Sequence, residues 1–161
     1  MTTEKTYNQE ERLLAALGHA AIITGMIGPV AGLLIYVTQK EKSAYAAKQG
    51  LQAAIYQLLG LLVMILVWSC WGLFYTISLI PLMTSADKYQ DAPPPIFWVG
   101  LGSMICPFII MAIWGLYGLW GAVRAWSGAD FRYLIVGQMV ENRLNKQDKT
   151  AVAASEETET D

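Results

Sequence analysis

Charge is what this chain has least of. Only 15% of its 161 residues are Asp, Glu, Lys or Arg, against roughly a quarter in an ordinary soluble domain. That leaves too little polar surface to coat a globule in water. A basic excess is also missing: the formal net charge is −2, which removes the electrostatic footprint of a nucleic-acid binder. One histidine and two cysteines, Cys70 and Cys106, both inside apolar stretches, exclude the disulfide framework of a small secreted domain and leave no structural zinc set. The cysteines read as buried small apolar residues. The chain has no H-E-x-x-H, no phosphate loop, no paired aspartates in an apolar segment, and no nucleophile with a base at a recognisable spacing. The sequence therefore predicts no enzyme, no cofactor and no metal site.

What is abundant is apolar: 55% hydrophobic residues, 11% aromatic, and a mean hydropathy of +0.38. Three stretches, 13–39, 49–86 and 92–123, hold no Asp, Glu, Lys or Arg. Each is longer than the roughly twenty residues that cross a bilayer. Backbone groups in lipid must be satisfied within the segment, and no barrel-like alternation is present, so the segments are expected to be helical. The predicted fold is an all-α integral membrane protein with two long transmembrane helices and a first hydrophobic segment broken by Gly and Pro.

In that first segment, about 13–39, the cluster Gly25, Gly28, Pro29 and Gly32 predicts a break near Gly28 and Pro29. Asn8, with Glu11 three residues on, fits a capping box at its start. The two halves each span about half a bilayer, so the segment either crosses bent, as a third span, or re-enters. The second apolar body, about 51–83, is too long to lie wholly in the hydrocarbon. Trp68, Trp71, Phe74 and Tyr75 mark its far interface, and the helix is expected to end around Pro81. A third, about 97–123, follows the stiff run Pro93, Pro94, Pro95, with Pro107 expected to kink it. Residues about 131–143 read as a short interfacial helix. Division by composition gives a polar tail over 1–12, a helical membrane domain over 13–143, and a disordered acidic tail over 144–161. The acidic first residues speak against a cleavable signal peptide.

Lys and Arg near span ends mark the cytoplasmic side. If all three segments cross, the basic residues divide eight against three; if the first re-enters, ten against one. Both models place the first connection and the C-terminus in the cytoplasm of a bacterial inner membrane. They differ on the N-terminus, and the steeper asymmetry favours re-entry.

Several residues carry a functional and a structural reading. His19 lies within the first apolar segment, where dehydrating an ionisable group is costly. It is either a proton relay or ligand contact, or a neutral imidazole hydrogen-bonded across helices. Gly28 and Gly32 form a G-x-x-x-G that serves either a homo-oligomer or packing among the chain's own helices. Gln49, Gln52 and Gln57, with Tyr45 and Tyr56, either line a vestibule or bind a partner, or bond to neighbouring helices. The partners implied are the lipid bilayer and, beyond it, a second copy or another membrane protein.

At 47–57, AKQGLQAAIYQ, and at 122–138, AVRAWSGADFRYLIVGQ, the chain resembles a large family of small bacterial multi-helix membrane proteins with a domain of unknown function. That family has a broken first segment, a "(K/R)QA" start to the next helix and an "A...G..(F/Y)RYP" ending. Lys48 and Gln49 match the start; Ala125, Gly128, Phe131, Arg132 and Tyr133, just after Arg124, match the ending. Gly50 replaces the usual alanine, and Leu134 stands where proline is common. The family is in turn similar to the twenty-kilodalton subunit of the chloroplast inner-envelope protein-import machinery. That likeness implies a scaffold, assembly or translocation-related role and supplies no catalytic residues. A small transporter or channel component, using the broken segment, is the alternative.

Overall fold

The computed structural model describes residues 7–144 and 146. Those residues form helices and turns, with no strand among them. The helices are α1 (Gln9–Ala20), α2 (Gly28–Gln39), α3 (Ala44–Thr84), α4 (Pro95–Gly102), α5 (Ile105–Trp126) and α6 over 136–144. Three stretches, Gln9–Gln39, Ala44–Thr84 and Pro95–Trp126, are long and apolar enough to cross a membrane. The acidic tail expected over 144–161 lies, except for residues 144 and 146, outside the described residues, as do residues 1–6.

The chain divides into two compact units, Met1–Leu58 with Tyr117–Asp161, and Leu59–Leu116. In the first unit, α1 begins at Asn8, whose backbone N–H donates to the Glu11 carboxylate at 2.8 Å, as a capping box requires. The break in the first segment is not at Pro29. A 3-10 stretch, Ala21–Ile27, holds Gly25 at φ 63°, ψ −114°, a conformation open to glycine and strained for other residues. Pro29 sits in the first turn of α2, where its missing N–H has no helical partner to lose. Proline here starts a helix, and Gly25 reverses the chain. α1 and α2 return along each other: a Cβ on Gly18 would lie 3.4 Å from Ile35 Cδ1, and one on Gly28 would lie 2.7 Å from the Ala21 carbonyl oxygen.

α3 is one uninterrupted helix of 41 residues, about 60 Å long at 1.5 Å per residue. Ser43 caps it, its Oγ accepting the Ala46 N–H at 3.2 Å. The helix passes through Pro81, where it was expected to end, and stops at Thr84. Proline there deletes a single backbone bond one turn from the helix end. In the second unit α3 runs antiparallel to α4 and the start of α5. Trp68 meets Phe108 edge to face at 5.5 Å, and Tyr75 lies 6.3 Å from Phe97. The kink expected at Pro107 falls earlier, at the turn over residues 103–104, because the proline ring excludes the carbonyl four residues before it. Ser103 O accepts instead from Cys106 N at 3.0 Å.

Cys70 and Cys106 are exposed, not buried, and both line an apolar groove of about 390 Å³ between α3 and the α4–α5 turn. An apolar residue on a membrane helix is as well placed against lipid as inside protein, so hydropathy alone does not predict its burial.

Candidate functional site

In the first unit, the polar residues set apart in the sequence draw together around one histidine. His19, on α1, is fully buried. Its Nδ1 lies 2.9 Å from the Tyr133 hydroxyl and its Nε2 lies 2.9 Å from Gln49 Oε1. Gln49 Nε2 donates to Asp130 Oδ1 at 3.2 Å and to the Phe131 carbonyl at 3.0 Å. With the amide N–H groups so engaged, its oxygen faces the ring, and the network fixes the tautomer: proton on Nε2, Nδ1 accepting from Tyr133 O–H. Every polar atom of His19, Gln49 and Tyr133 then has a partner, and none of the three residues carries a formal charge.

The backbone around α5 explains how Tyr133 and Phe131 reach the histidine. Gly128, at φ 81°, ends α5 in a Schellman turn: its N–H donates to Ala125 O at 3.0 Å, and Ala129 N–H donates to Arg124 O at 3.1 Å. The Tyr45 hydroxyl adds bonds to Ala125 O at 2.9 Å and Ala129 O at 3.1 Å, and Arg12 Nε donates to Trp126 O at 2.6 Å. The chain then turns inward. Phe131 meets His19 edge-on at 5.7 Å, and Tyr133 stacks on Tyr56 at 3.9 Å. These inward contacts delay α6, expected from about residue 131, to residue 136.

At the rim Lys48 Nζ donates to both Asp130 oxygens, at 2.9 and 3.1 Å. Arg132 bridges Asp130 at 3.3 Å and Glu141 at 2.8 Å. Exposed pairs of this kind are each worth about 0–1 kcal/mol, so their part is to set register. Deeper in, Gln57 Nε2 donates to the Gly18 carbonyl at 2.8 Å, taking up an acceptor freed where α1 ends. Gln52 is fully buried, and neither atom of its amide has a protein partner among the described residues.

Of the candidate residues, His19, Lys48, Gln49, Arg132 and Tyr133 therefore meet in one cluster, and Gly128 shapes the turn that delivers two of them. Arg124 has an exposed side chain and contributes only its carbonyl. Gly28 and Gly32 are buried and face α3, where a Cβ on Gly32 would lie 2.8 Å from both Ala54 N and Gly50 O. Pro29 begins α2. Asp130, which joins Lys48, Gln49 and Arg132, was missed; its signal was its place as the only acid in the 122–138 ending, with lysine and arginine partners in the two motifs. Among the described residues no group of three or more His, Cys, Asp or Glu is placed to hold a metal ion.

Burial, and after it the phenols of Tyr56 and Tyr117, hold the Tyr133 hydroxyl well above the ordinary phenol range. Above pH about 10 an unfolded chain loses this proton while the folded one keeps it. The folded state then binds more protons, so stability is full below that pH and falls above it, by about 1.4 kcal/mol per pH unit. Tyr133→Phe is expected to remove this slope. Denaturation of both proteins at about pH 9 and about pH 11 checks it; a constant gap between them would refute the assignment.

A helical core sealed around neutral polar groups, with apolar side chains such as Leu17, Leu34 and Val123 turned outward, defines a helical integral membrane protein. Residues 10–140 match the model of the magnetosome magnetite crystal formation protein family, and the chain belongs to that family. It is a family of membrane proteins and not a known enzyme family. No curated protein and no solved structure matches the chain. The family match agrees with a small bacterial membrane protein and does not extend to the chloroplast import subunit.

Proposed function

We propose that the chain is a non-catalytic scaffold of the membrane in which its family's magnetite crystals form, acting through helix packing, with the α1–α2 hairpin re-entering the bilayer. The observation that carries this reading is the hairpin's tip. Ile23, Met26 and Ile27 are 76%, 80% and 67% exposed, while the open end carries Glu10, Glu11 and Arg12 on one arm and Lys40, Glu41 and Lys42 after the other. Bare isoleucine and methionine are unfavourable in water by about 25 cal/mol per Å² and carry no such penalty in lipid. Each arm is 12 residues, about 18 Å, or roughly half the hydrocarbon core. The hairpin thus reaches the middle of the bilayer and returns. The N-terminus, the first connection and the end of α5 then share one face, which the ten-to-one division of basic residues makes cytoplasmic.

The outward apolar faces of α1, α2 and α5 meet lipid, a second copy or another membrane protein. Transport through the broken segment has less behind it. The Gly18 carbonyl is taken up by Gln57, and Thr24 Oγ1 closes on Ala21 O at 2.6 Å, leaving fewer backbone groups to coordinate a solute.

Single cysteines at Glu10, Lys42 and Asp87, in a chain with Cys70→Ser and Cys106→Ser, test the topology. A membrane-impermeant maleimide should label Glu10→Cys and Lys42→Cys from the same face of oriented vesicles, and Asp87→Cys from the other. Labelling of the first two from opposite faces would rule out re-entry.

A further inference from the structure

We infer that the cavity beside the end of α2 binds the phosphoethanolamine headgroup of a membrane phospholipid. The cavity, about 310 Å³, is lined by Tyr36, Lys40 and Glu41, by Lys48 and two alanines of α3, and by Leu144 of α6. Ligand sites run from about 300 to 1,000 Å³, so this one takes a headgroup and not a whole lipid. Its depth is that of headgroups: on α2, Leu34 and Val37 are exposed and apolar, and within a turn the helix gives way to Lys40, Glu41 and Lys42. Acyl chains lying along Leu34 and Val37 bring their phosphate to Lys40.

The lining carries both signs of charge. Lys48 Nζ is already shared with Asp130 at 2.9 Å, so it adds only part of its field. Lys40 Nζ is 3.9 Å from the Glu41 carboxylate, too long for a hydrogen bond, and its donors are available to phosphate along with the Tyr36 hydroxyl. Glu41 in turn meets a primary ammonium. A glycerol headgroup sets its phosphate beside this carboxylate and brings no ammonium of its own to offset it, and a choline headgroup has no N–H to offer it. The small side chains of Ala44 and Ala47 leave the room. The inference does not depend on re-entry, because the end of α2 is at the bilayer surface whether α1 crosses or returns.

The test uses the full chain in detergent with equal amounts of phosphatidylethanolamine, phosphatidylglycerol and phosphatidylcholine, the retained lipid being quantified by mass spectrometry. Ethanolamine lipid should be retained above the other two. Tyr36→Phe with Lys40→Gln should lower that retention about tenfold, and Glu41→Gln should shift the preference to the glycerol lipid, with the unfolding midpoint unchanged in both. Equal retention of the three lipids, or variants that bind as the parent does, would overturn the inference. Displacement of the ethanolamine lipid by excess inorganic phosphate would overturn it too, making free phosphate the occupant. None of these outcomes alters the maleimide result.

Discussion

A single methyl group added at Gly32 should lower the unfolding midpoint far more than the same change at Gly72, Gly102 or Gly115. A Cβ at Gly32 would sit 2.8 Å from Ala54 N and from Gly50 O, and one at Gly50 would sit 2.9 Å from Gly32 O. α2 and α3 thus touch backbone to backbone. Neither surface can swing aside as a side chain would, so the added carbon must push the helices apart. Overpacking of this kind costs about 1–3 kcal/mol, occasionally more, and separation of the helices also loosens the packing of Ile35 on Gly50. At Gly72, Gly102 and Gly115 nothing lies within 4 Å of a new Cβ, and alanine there gains up to about 1 kcal/mol of helix propensity. Gly28→Ala belongs with Gly32→Ala: the Gln57 amide could move aside, but the Ala21 carbonyl oxygen, 2.7 Å from the new Cβ, is backbone and cannot. Thermal unfolding in one detergent, read for the five alanine variants, checks the order. Equal midpoints for Gly32→Ala and Gly72→Ala would refute the contact.

The glycines also show where the sequence was legible. Charge gaps located the helices because lipid tolerates few charges, and that constraint acts on every residue of a span. It says nothing about which residue turns the chain. Gly25, Gly28 and Pro29 are all helix breakers by composition, yet Gly25 alone takes a positive φ in the reversal, while Pro29 begins the next helix. Proline at a helix start and proline at a helix break are the same letter in similar company. The cluster was half legible. Lys48, Gln49, Gly128, Arg132 and Tyr133 were marked by the two motifs, and His19 by its place in an apolar run. Their meeting was not, because His19 pairs with Gln49 across 30 positions and with Tyr133 across 114, and helix-packing register leaves no periodic trace. Burial of Cys70 and Cys106 was misjudged for a related reason: when the solvent is lipid, an apolar side chain has two equally good places to be.

The other large effect is expected at His19. Replacing it with alanine removes the imidazole that joins α1 to α3 and to the segment after α5, and leaves two buried groups facing the space. The Tyr133 hydroxyl loses its acceptor, and Gln49 Oε1 loses its donor. Each orphaned group costs about 1–3 kcal/mol, and the cavity left by the ring adds to that. The sum, about 3–6 kcal/mol, is a large part of what holds a small domain folded. Tyr133→Phe removes one of the two bonds but keeps the ring that stacks on Tyr56, so it should cost about 1–2 kcal/mol. A relay role predicts a different pattern: a histidine kept to move protons is replaceable by glutamine without loss of fold, since an amide offers a donor and an acceptor. The clamp needs one polar atom at the δ position toward Tyr133 and one at the ε position toward Gln49, whereas a glutamine amide carries its donor and its acceptor on one carbon, both at the ε position. His19→Gln should therefore recover little of the stability lost in His19→Ala, as denaturation of the three variants will read out. Recovery to the parent midpoint would mean that any donor and acceptor suffice, and that the histidine is there for its proton.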